Sequence, residues 1–274
     1  MSNQVFASYV AIGDSLSEGL GDFDFHSDRH HKGWTDRLAA MLSAHAENLG
    51  HEFHYANLAL RGSKLKTILT KQLQQALELK PDLVTIMAGS NDLVTGNLEE
   101  LEATFRNGLR QLQAAGCRVV VVTTIRPSHL NLFKVVLPMA EAISSMLVRL
   151  AQEASVDVLD VHSIESFSDI RYWAEDMVHF SGHGHIVIAN KAAALMGIPQ
   201  RMPEANATDM HKPSRGLVGT ARWFVLYAIP FIQRRIKGTT SGDNMLPKHQ
   251  NLVPYSNQAF EIIHEPRSAF ARAA

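Results

Sequence analysis

Cysteine is almost missing from this chain: Cys117 is the single one in 274 residues. One thiol excludes an internal disulfide framework and fits a reducing compartment, so the cytoplasm is the default expectation. Its place just before the run Val119–Val122 points to a small buried apolar group rather than a reactive thiol. Surplus charge is missing too, with 26 Lys and Arg against 27 Asp and Glu and a formal net charge of −1. That balance removes any global electrostatic basis for binding nucleic acid or an anionic membrane. The opening MSNQVFASY has neither a basic n-region nor a long apolar stretch, so no secretory leader is expected. No internal repeat is visible. With 46% hydrophobic and 19% charged residues, the composition is that of a globular protein rather than a disordered one.

What is present is alternation. Short, nearly continuous apolar runs predict strands over Tyr9–Ile12, Phe53–Leu60, Leu83–Met87, Arg118–Thr123 and Val156–Val161. Helical spacing fills the intervals. It is carried by Trp34, Leu38, Met41 and Leu42, then by Leu65, Ile68, Leu69, Leu73, Ala76 and Leu77. A third helix starts at an Asn97 cap, runs through Leu101, Phe105, Leu109 and Leu112, and stops at Gly116. A fourth carries Ala140, Ile143, Met146, Leu147 and Leu150, and a last one follows Ser181. Strands and helices alternating in this way form right-handed βαβ units around a parallel sheet. After about residue 200 the alternation stops. The expected division is therefore a domain over 1–200 and an extension over 201–274.

In open parallel sheets, ligands bind beyond the carboxyl ends of the strands. The residues found there are Gly13-Asp14-Ser15, Arg61-Gly62 and Gly89-Ser90-Asn91-Asp92. A serine, a glycine and an asparagine thus meet on one rim. Ser15 can offer a hydroxyl as nucleophile and a backbone N–H to an oxyanion, Gly62 an N–H with no side chain in the way, and Asn91 a side-chain amide. Of the 14 histidines, His179 stands just before the last helix with Asp176 three residues upstream. In a turn, that spacing lets the carboxylate hold Nδ1–H while Nε2 faces the serine. Asp14 is expected to support the turn through backbone N–H groups, without a catalytic role.

GDSLSEG, LALRG, GSND and DMVHFS, in this order, resemble the four signature blocks of the SGNH/GDSL hydrolase family, from about residue 7 to about 197. The resemblance implies a flavodoxin-like three-layer α/β/α sandwich with a five-stranded parallel sheet. It also implies a cofactor-independent serine esterase or lipase acting on small-molecule esters. Carried over by motif, Ser15, His179 and Asp176 form the triad, and Ser15, Gly62 and Asn91 form the oxyanion hole. The last block departs from the common pattern, which has a small residue after the aspartate and Pro or Leu after the histidine.

Other readings of the same residues are a helix cap for Ser15, turn roles for Gly62 and Asn91, and a metal site at His179, His183 and His185. No HExxH glutamate accompanies those histidines, and no GxxxxGK[ST] supports a phosphate loop, so no metal or cofactor is expected. Acyl transfer on the same site, or a non-catalytic binding module of the same fold, are the functional alternatives. The loop 20–32, with Phe23 and Phe25, and the segment 126–138 are candidate substrate walls. The stretch ARWFVLYAIPFIQRRIKG (221–238) is too short in its apolar part to span a bilayer, and Pro230 interrupts it. It resembles the C-terminal segment of actinobacterial members of the family. Its aromatic side chains are expected to pack on the hydrolase domain, on a second copy of the chain or on a membrane surface, in that order, outside the catalytic machinery.

Overall fold

Alternating side chains decide the layering of the sheet. Along the first strand, β1 (Ser8–Gly13), Tyr9 and Ala11 face one hydrophobic core while Val10 and Ile12 face the other. The same alternation recurs in β3 (Leu83–Met87) and β4 (Arg118–Val122), where Leu83, Met87, Val120 and Val122 join the first core and Val84, Ile86, Val119 and Val121 the second. Strands buried on both faces need helices on both faces. The computed structural model describes residues 4–22, 31–129, 131–206, 210, 239–256 and 263–264.

With β2 (His54–Asn57) and β5 (Asp157–Leu159), these strands form a parallel sheet in the order β5-β4-β3-β1-β2. A helical stretch follows each. After β1 come α1 (Ser15–Glu18) and α2 (Trp34–Asn48). After β2, α3 (Leu65–Thr67) and α4 (Leu73–Leu79) are joined by a π-helical turn, Ile68–Gln72. After β3 and β4 come α5 (Leu98–Ala114) and α6 (Leu137–Glu153), and α7 (Gly182–Leu195) follows β5. Residues of α2 and α7 fill the first core, and residues of α4, α5 and α6 the second. Strand order reverses between β1 and β3, the kind of place where open parallel sheets bind ligands, and Ser15 and Asn91 leave the sheet there.

The five parallel strands agree with the sequence in number and place, but three are shorter than their expected runs, β4 by one residue and β2 and β5 by more. β2 stops at Asn57, whose side chain takes Ala59 N–H (3.1 Å), although Leu58 and Leu60 still donate to Ala11 and Gly13 of β1. Among the described residues, β5 is an edge strand paired with β4 alone. The expected helix signals are realised. Asn97 Oδ1 accepts from Glu99 and Glu100 N–H, Gly116 adopts φ 76° beyond α5, and Ser181 caps α7.

The expectation of a purely parallel sheet of five is corrected. The short β6 (Gln200–Arg201) pairs with β8 (Ile263–His264), and β7 (His249–Pro254) adds a sixth, antiparallel strand beside β2. The sheet edge that β2 would leave open is covered by the chain's own C-terminal part. Cys117 is half-buried rather than buried. The apolar and basic stretch 221–238, and Phe23 and Phe25, lie outside the described residues. Among the described residues no helix is long and apolar enough to cross a membrane.

Candidate active site

β1 ends at Gly13, where nothing larger than glycine fits. A Cβ at this position would stand 2.5 Å from Ser17 Oγ and 2.8 Å from Met87 O. The Gln72 amide grips the same residue from the π-helical turn, accepting from Gly13 N (2.8 Å) and donating to Gly13 O (3.0 Å). Asp14 then caps α1, its Oδ1 accepting from Leu16 N at 3.0 Å. From Gly13 to Gly19 every residue is buried except Ser15, which is half-buried. The turn thus holds its surroundings tightly and leaves one hydroxyl open.

Asn91 ties three strand ends together. It lies in a single 3-10 turn, Ser90–Asp92, reached through Gly89 at φ 106°. Its Nδ2 donates to Asp14 Oδ2 (3.3 Å) and to Ser63 O (3.2 Å), beside Ser15 and Gly62 respectively. Asp92 Oδ2 accepts from Leu65 N at 2.9 Å, which fixes the start of α3 to the same turn. Gly62 itself has φ 79°. Burial pushes the Asp14 carboxyl up to about 6, against the pull of Leu16 N–H, of the His179 charge and of the Asn91 amide. The His179 field therefore reaches the turn that holds Ser15.

His179 is set by a short loop. Trp173 and Phe180 form an antiparallel bridge, and Ala174 N donates to His179 O (2.9 Å). Below it the Trp173 ring stacks on Phe180 (4.9 Å between centroids) and on His129 (3.8 Å). Within the loop, Asp176 Oδ1 accepts from Val178 N and His179 N, each at 3.0 Å, and Asp176 Oδ2 meets His179 Nδ1 at 2.5 Å. Burial alone would raise the Asp176 carboxyl. The His179 charge and these hydrogen bonds outweigh it and hold it at about 2. The Asp–His spacing read from the sequence thus corresponds to a direct contact.

His185 has a different fate from the one its spacing offered. It is fully buried, its Nδ1 accepts from Trp34 N (3.1 Å), and its Nε2 donates to Leu20 O (3.0 Å). Burial pushes its pKa down to about 3, so it is a neutral internal strut between α7, the turn after α1 and the start of α2. Among the described residues no group of three or more His, Cys, Asp or Glu side chains is arranged to hold a metal. The sequence reading missed Glu18, Asn57 and Gln72, three buried polar residues at the end of α1, at the end of β2 and in the π-helical turn. Asn57 Nδ2 donates to Ser17 O (3.0 Å) and Thr35 Oγ1 (3.1 Å). For Asn57, a polar residue inside the apolar run Phe53–Leu60 was the available signal.

Solved structures share this architecture. An α/β hydrolase, LAE5, from the metagenome of Lake Arreo has 21% identity and a TM-score of 0.60, covering 72% of this chain and 99% of its own. Axe2, an acetylxylan esterase from Geobacillus stearothermophilus, has 18% identity and a TM-score of 0.59, covering 72% and 97%. The psychrotrophic esterase EstA from Pseudoalteromonas sp. has 14% identity and a TM-score of 0.53, covering 70% and 97%. At such identities the likeness concerns the fold alone. No curated protein sequence matches the chain. Residues 11–187, well over half of the chain, match the model of the GDSL-like Lipase/Acylhydrolase family, and the chain belongs to that family.

Proposed function

We propose that this carboxylic ester hydrolase works through an acyl-enzyme on Ser15. Ser15 Oγ attacks the ester carbonyl carbon while its proton passes to His179 Nε2. The oxyanion accepts hydrogen bonds from Ser15 N–H, Gly62 N–H and Asn91 Nδ2. Collapse of the tetrahedral intermediate breaks the bond to the alcohol, which leaves with the proton from His179. Water then enters with His179 as base, and a second collapse releases the acid and restores Ser15.

The observation that carries this reading is the 2.5 Å contact from Asp176 Oδ2 to His179 Nδ1. It leaves Nε2 as the free nitrogen, and the two backbone bonds to Oδ1 keep the carboxylate from turning away. Asn91 supports it from the other side, because trading either of its two long bonds for an oxyanion brings an N–H to bear on developing charge. Axe2 adds a parallel: its catalytic mutants replace a serine, an aspartate and a histidine, with the aspartate three positions before the histidine as here. The near-absence of cysteine favours the cytoplasm as the compartment.

The test is covalent labelling. An alkyl phosphonate, the class of inhibitor bound in the EstA structure, should modify the wild type at Ser15, and Ser15→Ala should lose both labelling and turnover of p-nitrophenyl acetate. A folded Ser15→Ala protein with full turnover would refute the mechanism.

A further inference from the structure

Ser15 and Gly62 belong to different βα units, so nothing in the covalent chain sets the distance between their backbone N–H groups. Glu18 bridges them. It stands at the end of α1, three residues after Ser15, and is 7% exposed. Its Oε2 accepts from the backbone N–H of Arg61 (2.7 Å) and from Arg61 Nε (3.1 Å). Its Oε1 accepts from Arg61 Nε (2.9 Å) and from the terminal guanidinium nitrogen. One carboxylate thus holds both the side chain and the main chain of the residue before Gly62.

The same loop is also met by the C-terminal segment. A Cβ on Gly62 would stand 2.7 Å from Thr240 Cβ, and a Cβ on Gly242 would stand 2.3 Å from Arg61 O. Glycine at 62 therefore leaves room for the Thr240 side chain, and glycine at 242 for the Arg61 carbonyl, so loop and turn meet closely. The turn is rigid in its own right. Asp243 Oδ2 accepts from Thr240 N (2.8 Å), Asp243 Oδ1 from Thr240 Oγ1 (2.7 Å), and Thr240 Oγ1 from Gly242 N (3.2 Å).

We propose that Glu18 is a positioning residue for the oxyanion loop, and that the turn Thr240–Asp243 is the second jaw of the same clamp. The inference rests on the reading of the Ser15 and Gly62 N–H groups as oxyanion donors. Such donors act through preorganisation, so a loop free to drift by a fraction of an ångström loses transition-state stabilisation while ground-state binding is little changed. The extension that the sequence placed outside the catalytic machinery then contributes to it, through contact with Arg61 and Gly62 rather than through chemistry.

The experiment uses the full chain, p-nitrophenyl acetate as substrate and methylboronic acid as a tetrahedral analogue on Ser15. Glu18→Gln should lower kcat about tenfold, a fraction of the 10²–10³ that one oxyanion donor supplies, and weaken the boronate by the same factor. KM should stay within about twofold. Thr240→Gly, which removes one wall of the clamp at the surface, should move kcat and boronate affinity together by about threefold. It decides the matter should Glu18→Gln not fold. Wild-type kcat and boronate affinity in these variants, whatever their thermal midpoints, would overturn the proposal, as would an effect confined to KM. Failure of the underlying reading looks different: wild type would then bind no boronate and carry no phosphonate on Ser15.

Discussion

Lys248 offers the sharpest test of whether the C-terminal segment is built into the hydrolase body. Its ammonium meets Asp36 Oδ2 at 2.7 Å and also donates to His31 O, with the two side chains only 7% and 5% exposed. Asp36 lies in the first turn of α2, where it also accepts from Gly33 N (2.8 Å) and Tyr55 OH (3.2 Å). Lys248→Met keeps the aliphatic stem and removes the charge, leaving a buried carboxylate with two neutral donors. Deleting one partner of a buried pair costs about 3–5 kcal/mol, and the surviving donors place this case at about 3. For a chain of this size that lowers the thermal midpoint by roughly 6–12 °C. An internal control exists in Lys66, paired with Glu100 at 2.9 Å but 70% and 59% exposed. Lys66→Met should cost less than about 1 kcal/mol. Thermal unfolding followed by circular dichroism compares the two directly. Adding Asp36→Asn to Lys248→Met should recover part of the loss, because the stranded charge is gone. If Lys248→Met moves the midpoint no more than Lys66→Met does, the pair does not hold the segment down and the reasoning fails.

Two further outcomes follow from the site. Asn91→Ala should reduce kcat by roughly 10²–10³ with a smaller change in KM, measured by steady-state hydrolysis; a change mainly in KM would make Asn91 a ground-state binding residue. Asp176, held at about 2 against its usual 3.8, contributes stability above pH 3.8 that is lost as pH falls through 2. The stability advantage of wild type over Asp176→Asn, at most roughly 2 kcal/mol, should therefore begin to shrink below about pH 4 in urea titrations, and a pH-independent gap would contradict the assignment.

What the sequence alone determined is what local chemistry determines. Leu83–Met87 reads as a strand because a short run of four apolar residues around Thr85 suits a strand with helices on both faces. Asn97 and Gly116 mark the ends of α5 because a cap and a left-handed stop act within a turn of the helix they bound. The candidate residues were legible for a related reason: Ser15, Gly62 and Asn91 follow the first three strands and His179 stands just before the last helix, so their types at those places form a pattern in one dimension. Pairings between distant residues could not be read this way. β7 is a half-exposed strand containing a proline, and it becomes a strand because β2 presents an open edge roughly two hundred residues earlier in the chain. His185 offers a metal-like spacing in sequence, yet packing encloses it between two backbone partners. Glu18 and Lys248 look like ordinary surface charges until the fold brings Arg61 and Asp36 to them. Each of these depends on the free energy of burying two groups together, a quantity that neither residue carries alone, so only the tertiary structure decides it.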